Sequence, residues 1–180
     1  MNNEENIKQE KLIELLEKSL SDVNYWLVFA EAKNGVIVTL NSAFIGLIIG
    51  SDKFTINNSI MVFILIMMFI PLIISLVSFI PDTNDYATLN ISNNISIDNK
   101  NVCFYGHIKD FDNKRYIKLL YKKYFGSDLE DNNIPDIAID YSSEIIYNSN
   151  ITIKKLNKFK KALEFEFLII AILIIFIIIA

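Results

Sequence analysis

The chain has 180 residues, a formal net charge of −4 and a mean hydropathy of +0.35, with 52% hydrophobic and 21% charged residues. An evenly mixed soluble domain rarely combines these values, so the apolar residues are expected in a few separate blocks. The single Cys and the single His exclude an intrachain disulfide, a multi-cysteine metal site and a histidine-rich metal site. The negative net charge gives no overall attraction to nucleic acid, which is not expected as a partner.

The N-terminal segment, residues 1–34, is predicted to be a cytoplasmic helix. Glu4–Lys33 contains no Gly or Pro, and its apolar residues recur every three or four positions, as on one face of a helix. The first 20 residues lack the basic-then-apolar order of a signal peptide. We expect the apolar stripe to pack on another helix of this chain or on a second copy. The stripe consists of Ile13, Leu16, Leu20, Val23, Leu27 and Ala30.

The first predicted transmembrane helix is residues 35–50, which can continue the N-terminal helix. This segment is apolar but includes Asn41 and Ser42. Lipid cannot satisfy such side chains, so they usually face another helix or a water-filled path. Asn41 and Ser42 are therefore predicted to make interhelical contacts, with a pore or gate lining as the alternative.

Two further apolar blocks are predicted to enter the membrane. Residues 60–80 are 21 uncharged residues, long enough at about 1.5 Å per residue to cross a core of about 30 Å, and Pro71 is tolerated in such a helix. The C-terminal hydrophobic segment, residues 162–180, is a third span that barely reaches across, with Glu164 and Glu166 near the headgroups. The fold class is therefore a mainly α, integral membrane protein with two to three transmembrane helices.

The distribution of Lys and Arg predicts the topology. The loop of residues 51–59 between the first two spans holds one basic residue, whereas residues 1–34 and 81–161 together hold sixteen. Basic residues accumulate on the cytoplasmic side, so the N-terminus and the middle region are expected there. A bacterial inner membrane is the simplest location for such a multi-pass protein.

The middle region, residues 81–161, is predicted to be a small helical domain between the second and third spans. Loop and short extended pieces compete in residues 81–102, which are rich in Asn, Asp, Ser and Thr. A short amphipathic helix is expected over Tyr116–Tyr124, ending at Phe125-Gly126. Asp136 is then expected to cap a long helix that runs from Ile137 to Ala180.

The motifs of the common enzyme classes are absent from the sequence. It contains no phosphate-binding loop, no dinucleotide-binding fingerprint, no serine-hydrolase elbow and no zinc-protease motif. Cys103 precedes His107 by four residues, but no third catalytic group is identifiable, and the apolar flank suggests that Cys103 is packed. We therefore expect no catalytic residue, no metal site and no cofactor.

Three stretches together resemble the transmembrane effectors of the Pycsar antiphage system. They are AEAKNGVIVTLNSA at Ala30–Ala43, NVCFYGHI at Asn101–Ile108 and IIYNSNITIKK at Ile145–Lys155, in the order that the family has them. The exit of the second span at Ser78–Pro81 also fits, and the resemblance covers most of residues 25–180. Tyr105 departs from the pattern, which commonly has a second Phe-like residue there.

The resemblance implies an effector of abortive infection. A neighbouring cyclase would make a cyclic pyrimidine mononucleotide, cyclic CMP or cyclic UMP, and the effector would bind it and impair the inner membrane. The alternatives are a small oligomeric structural or regulatory membrane protein and an effector of another cyclic-nucleotide defence system. An adjacent nucleotidyl cyclase gene would favour the first interpretation.

The ligand site is predicted where the resemblance and the chemistry of a cyclic nucleotide coincide. The phosphate calls for a cation or amide donors, the base for an aromatic face, and the ribose for polar side chains. The alternative is that the aromatic residues belong to the core and that the lysine contacts lipid. A homo-oligomer is also expected, because a monomer of this size cannot easily cover the apolar stripe. The predicted site residues are Phe104, Tyr105, Gly106, His107, Arg115, Tyr141, Asn148, Ser149 and Lys155.

Overall fold

The computed structural model of the chain describes residues 3–51, 59–81 and 100–179, and within these ranges it has five α-helices and no β-strand. This confirms the mainly helical class. A 3₁₀ turn, Asp131–Asn133, precedes the last helix. The helices are α1 (Asn3–Ile49), α2 (Ser59–Val77), α3 (Tyr105–Ile108), α4 (Asn113–Phe125) and α5 (Asp136–Ile179).

The N-terminal helix and the first predicted span form one uninterrupted helix, α1. The helix continues without a break through Asn34 and Gly35. The side chain of Asn34 donates to the carbonyl of Ala30 at 2.9 Å, one turn earlier. Such a bond to the preceding turn is compatible with a continuous helix.

Helix α4 confirms the amphipathic helix predicted around Tyr116–Tyr124. It begins three residues earlier than expected, because the side chain of Asp112 caps it by accepting from the backbone N–H of Arg115. It ends at Gly126, whose φ of 68° is the left-handed conformation that glycine adopts most easily. The predicted C-terminus is therefore correct.

Helix α5 confirms the long C-terminal helix, with one correction at its start. Asp136 lies inside the first turn and does not cap it, since the backbone N–H groups of Ala138 and Ile139 both donate to the carbonyl of Pro135, the residue before the helix. The carboxylate of Asp136 still favours this end, because the N-terminus of a helix carries partial positive charge.

The chain divides into two compact units. The first comprises residues 1–27 and 82–153, and the second comprises residues 28–81 and 154–180. These divisions do not test the predicted boundaries at 34/35, 80/81 and 161/162, which concern the membrane and stay predictions. The predictions for residues 82–99 and for the loop at 52–58 lie outside the described residues.

The apolar stripe of α1 is buried inside the first unit of the same chain. Of the predicted stripe, Leu16 and Val23 are at most 2% exposed and Leu20 is partly buried against the same core, while Leu12 is fully buried in place of its half-buried neighbour Ile13. Of the two partners predicted for the stripe, the structure shows a helix of this chain. The stripe of this unit therefore does not leave the uncovered surface on which the expected oligomer depended. The core partners from α4 and α5 include Tyr116, Ile117, Leu120, Ala138, Ile145 and Ile146.

The second unit is formed by parts of α1, α2 and α5. Ile45, Met68 and Ile169, one from each helix, form its apolar cluster. Two helices, Glu4–Ile49 and Ser59–Val77, are long and apolar enough to cross a membrane by length and composition. A third crossing by residues 162–180 stays a prediction.

Candidate functional site

The aromatic segment at residues 101–108 packs against α1 within the first unit. The ring of Tyr105 lies 5.4 Å from the ring of Trp26 and 4.8 Å from the ring of Phe104, measured between centroids. Phe104 is 42% exposed and meets the ring of His107 edge-on at 5.2 Å. Phe104 is thus the accessible ring of the segment, whereas Tyr105 packs against α1.

Local contacts fix the conformation of this segment. A Cβ added at Gly106 would lie 2.5 Å from Cε1 of Phe104, so the ring is directly above the glycine. The Nδ1 atom of His107 accepts the backbone N–H of Asn101 at 2.9 Å. Because Nδ1 is the acceptor, Nε2 is the ring nitrogen left to donate to a ligand.

Cys103 is exposed, so the prediction that it is packed is wrong. Its neighbour Val102 takes the buried position, and the hydroxyl of Tyr116 donates to the carbonyl of Val102 at 3.1 Å. Burial raises the pKa of Tyr116 to about 12. The Sγ atom of Cys103 contacts the hydroxyl of Tyr124 at 3.7 Å and is not hydrogen-bonded to His107.

Three of the four predicted site residues on α5 lie in the first unit. The Asn148 amide donates to Oδ1 of Asn24 at 2.9 Å and to Glu144 at 3.1 Å. Asn148 and Tyr105 therefore contact residues of α1 that are two positions apart, Asn24 and Trp26. The Oγ atom of Ser149 is buried without a hydrogen-bond partner among the described residues.

The other two residues on α5 have different surroundings. Tyr141 is partly buried and lines a shallow cavity of about 360 Å³. Lys155 belongs to the second unit, and its ammonium donates to Glu31 at 2.8 Å and to the carbonyl of Ser78 at 2.9 Å. The structure thus does not group Lys155 with the aromatic segment, and its role in binding stays a prediction.

Arg115 lines a cavity of about 790 Å³ along α4, which we call the basic cavity. Six of its eleven lining residues are Lys or Arg and three are Asp. Lys114, Lys118 and Lys122 follow one another at four-residue spacing on one face of α4, beside Arg115. The lining residues are Lys100, Val102, Asp112, Lys114, Arg115, Lys118, Leu119, Lys122, Lys123, Asp128 and Asp131.

Aspartates hold several of these lysines in place. Asp131 accepts from Lys118 and, at 3.3 Å, from Lys114, and these two bonds lower the pKa of Asp131. Asp128 pairs with Lys122 at 2.9 Å. Of these cations only Arg115 was predicted from the sequence, because a basic face on a short amphipathic helix is typical of a solvated surface.

Lys100, at the edge of the cavity, pairs with Asp110 at 2.7 Å. Burial acts to raise the pKa of Asp110, but hydrogen bonds from Lys100 and Lys109 outweigh it, so the pKa is lowered. This pair attaches the start of the aromatic segment to the residues before α4.

In the second unit, the side chain of Asn41 on α1 contacts α5. Its amide donates to the carboxylate of Glu166 on α5 and to the carbonyl of Ile37. Asn41 is fully buried, Glu166 is 6% exposed, and Ser42 is exposed. Glu166 was predicted to lie near the headgroups and received no functional role. An acidic residue inside a predicted span was the signal that could have identified it.

Metal-ligating groups do not cluster in the described ranges, where no set of three or more His, Cys, Asp or Glu side chains could hold a metal ion.

Comparison with known proteins gives one match. No curated protein and no solved structure matches the chain. Residues 15–180 match the family model PycTM, the Pycsar effector protein domain. Because this match covers most of the chain, including the aromatic segment, the basic cavity and all three predicted membrane segments, the chain belongs to the Pycsar effector family.

Proposed function

We propose that the chain binds a cyclic pyrimidine mononucleotide, cyclic CMP or cyclic UMP, in its first unit and responds by impairing the bacterial inner membrane. The observation that carries this proposal is the basic cavity in a member of the Pycsar effector family. Six cations and three aspartates line this cavity, so its lining carries a surplus of positive charge in a chain whose net charge is −4, and such a surplus attracts a small anion.

The cavity offers groups for each part of a cyclic nucleotide. Arg115 can bind the phosphodiester through two parallel N–H groups, and Lys118 adds a second cation. Val102 and Leu119 give the base an apolar surface, and Asp112 can accept from a ribose hydroxyl or a base amino group. A volume of about 790 Å³ lies within the range of about 300–1,000 Å³ typical of small-molecule sites.

Ligand binding in the basic cavity can affect the start of α5 within the first unit. A phosphate that takes Lys114 and Lys118 competes with Asp131, their present partner. Asp131 begins the 3₁₀ turn that ends three residues before α5 starts at Asp136. Release of Asp131 therefore frees the segment that fixes the start of α5.

The aromatic segment is the second candidate position for the ligand. Phe104 is exposed enough to stack on a base, and Nε2 of His107 is oriented away from the bond at Nδ1. Asn148 of α5, which contacts α1 two residues from the Trp26 partner of Tyr105, would then contact the ribose or the base, and Tyr141 and Ser149 stay predicted ligand residues.

Calorimetry on the full chain in detergent tests the ligand and its position together. Arg115→Met and Lys118→Met are each expected to weaken cyclic CMP or cyclic UMP binding about tenfold, a loss of about 1.4 kcal/mol. The matched control is Lys160→Met, at an exposed lysine outside the cavity. Tyr105→Ala, His107→Ala and Asn148→Ala test the second position.

Each outcome of this titration has a defined meaning. Loss of binding in the Arg115 and Lys118 variants supports the basic cavity, whereas selective loss in the other three places the ligand at the aromatic segment. Tighter binding of cyclic purine nucleotides or cyclic dinucleotides would favour another defence system. Absence of binding by every cyclic nucleotide would overturn the proposal.

The response is proposed to occur at the membrane, without catalysis. The protein is proposed to be multi-pass and homo-oligomeric, with its N-terminus and residues 81–161 in the cytoplasm. Two helices long and apolar enough to span support the multi-pass part of this proposal. Vesicles that contain the purified chain and a trapped dye should leak when cyclic CMP or cyclic UMP is added, and tight vesicles would count against membrane impairment.

A further inference from the structure

The interior of the second unit contains polar side chains from all three of its helices. Asn34 and Asn41 lie seven residues apart on α1, hence on one face, and both are fully buried. Ser75 on α2 is also fully buried, and Lys155 and Glu166 on α5 are 8% and 6% exposed. Polar and charged side chains are rare in membrane-spanning helices, and where they occur they usually serve a function.

These residues form two polar levels along the helices. At one level the Asn34 amide donates to the carbonyl of Lys155 at 3.1 Å, and the Lys155 ammonium donates to the carbonyl of Ser78 at 2.9 Å. At the other level the amide of Asn41 donates to Glu166. The residue numbers rise along α1 and α5 in the same order, so the two helices run parallel here.

Three buried oxygens of this interior have no hydrogen-bond partner within the described part of the chain. They are Oδ1 of Asn34, Oδ1 of Asn41 and Oγ of Ser75. Buried acceptors and hydroxyls of this kind normally bind water. Pro71, also buried on α2, has no N–H to offer the carbonyl of Met67, which adds one more acceptor. These atoms give the interior hydrogen-bonding groups that water or a cation can use.

An apolar layer follows the Asn41–Glu166 level. Ile45 is one turn beyond Asn41 on α1, and Ile169 is one turn beyond Glu166 on α5. Met68 of α2 packs between them, and all three side chains are at most 8% exposed. This layer lies at one end of the polar interior. A narrow ring of apolar side chains excludes water until it widens.

We propose that this interior is the route by which monovalent cations cross the membrane in the active protein, and that the layer of Ile45, Met68 and Ile169 is its gate. The inference rests on the proposed function, since it names the route of the membrane impairment. Glu166 supplies the negative charge next to the gate and so favours cations. At the other end, the ammonium of Lys155 is paired with Glu31 and adds no uncompensated positive charge.

The first test measures potassium leak from vesicles that contain the full chain, without any nucleotide. Ile45→Ser and Met68→Ser hydrate the gate and are expected to raise the basal leak about tenfold over the parent. The matched controls are Leu47→Ser and Ile66→Ser, two positions away on the same helices and 70% and 58% exposed, which should leave the leak unchanged. Basal leak equal to the parent in both gate variants would overturn the gate.

The second test does not require the gate variants to fold. Glu166→Gln keeps an acceptor for Asn41 and removes the charge, so the potassium-over-chloride preference of the leak induced by cyclic CMP or cyclic UMP should fall. Glu164→Gln, whose carboxylate is 64% exposed, should keep the parent preference. An unchanged ion preference in Glu166→Gln would contradict the route.

The two proposals can fail separately. If the parent leaks on nucleotide addition but neither the gate variants nor Glu166→Gln change the leak, the route is elsewhere and the proposed function stands. If the gate variants leak while no nucleotide activates the parent, the route stands and the activating ligand is wrong.

Discussion

The ammonium of Lys155 on α5 donates a hydrogen bond of 2.9 Å to the carbonyl of Ser78, which directly follows the end of α2. The last carbonyls of a helix have no partner within it, and Lys158 donates to the next one, that of Val77, at 2.9 Å. Two lysines of α5 thus cap the C-terminal end of α2. Lys155, for which contact with lipid was the predicted alternative, therefore makes a buried structural contact.

Replacing Lys155 should destabilise the protein. Lys155→Met keeps the aliphatic length but removes the bonds to Ser78 and Glu31, and we expect a loss of about 2 kcal/mol in the free energy of unfolding. Lys160→Met, at a side chain that is 75% exposed, should change it by less than about 0.5 kcal/mol. Thermal unfolding in detergent measures both, and equal effects would show that the Lys155 contacts do not contribute.

The ion pair between Lys100 and Asp110 should stabilise the first unit in a pH-dependent manner. The pKa of Asp110 is lowered in the folded protein, below the value of about 3.9 in an unfolded chain. Its contribution is therefore complete above that value and is lost as the pH falls through the lower, folded pKa. A double-mutant cycle of Asp110→Asn with Lys100→Met should show favourable coupling near pH 7 and none in strong acid. Coupling that persists in strong acid would mean that the contact is not ionic.

The buried hydroxyl of Tyr116 should contribute through its bond to the carbonyl of Val102. Tyr116→Phe leaves that buried acceptor unpaired, and the expected cost is about 1–2 kcal/mol in the free energy of unfolding. Tyr124→Phe is the matched control, because this ring is 49% exposed and its hydroxyl can bond to water. Indistinguishable stabilities of the two variants would argue against the Val102 bond.

The raised pKa of Tyr116 predicts that the protein loses stability at high pH. The pKa of Tyr116 is about 12 in the folded protein, against about 10 in an unfolded chain, because burial disfavours the phenolate. Its contribution is present below about pH 10 and disappears as the pH rises toward 12. Alkaline unfolding monitored by circular dichroism should therefore be steeper in the parent than in Tyr116→Phe. Identical curves would contradict the assignment.

Alanine substitutions at Gly126 and Gly46 should have different effects on the stability of the protein. Gly126 has a φ of 68°, so Gly126→Ala is expected to cost about 1 kcal/mol by straining the end of α4. A Cβ at Gly46 meets nothing within 4 Å in the chain, and Gly46→Ala should stabilise α1 slightly through helix propensity. Thermal unfolding measures both. A loss of oligomer in Gly46→Ala would instead assign the Gly46–Gly50 pair to a contact between copies.

The parts of the fold that local sequence determines were predictable. Spacing of apolar residues predicted α1, α4 and α5, and Gly126 predicted where α4 ends, because capping and amphipathicity depend on neighbours within a few positions. The partner of the α1 stripe was not predictable, since an apolar face shows that something covers it but not what. Leu20→Asp is accordingly expected to destabilise the first unit itself, because Leu20 packs against the core of that unit.

The candidate site was harder to predict from the sequence, because its residues come together through contacts between distant parts of the chain. The contact of Glu166 with Asn41 joins residues 125 positions apart, and no local pattern records it. The basic cavity depends on how α4 and the turn at Asp131 approach each other, so only Arg115 was identified. The aromatic segment was identified because its residues are contiguous, and its contact with α1 was not.

The packing of Tyr105 on Trp26 has a practical consequence. Trp26 is the one tryptophan of the chain, so its emission is a single-site signal that needs no label. The intrinsic fluorescence of the protein, in micelles or in vesicles, therefore reports directly on the aromatic segment. A spectroscopist can follow that segment in real time while the bilayer around the protein is intact.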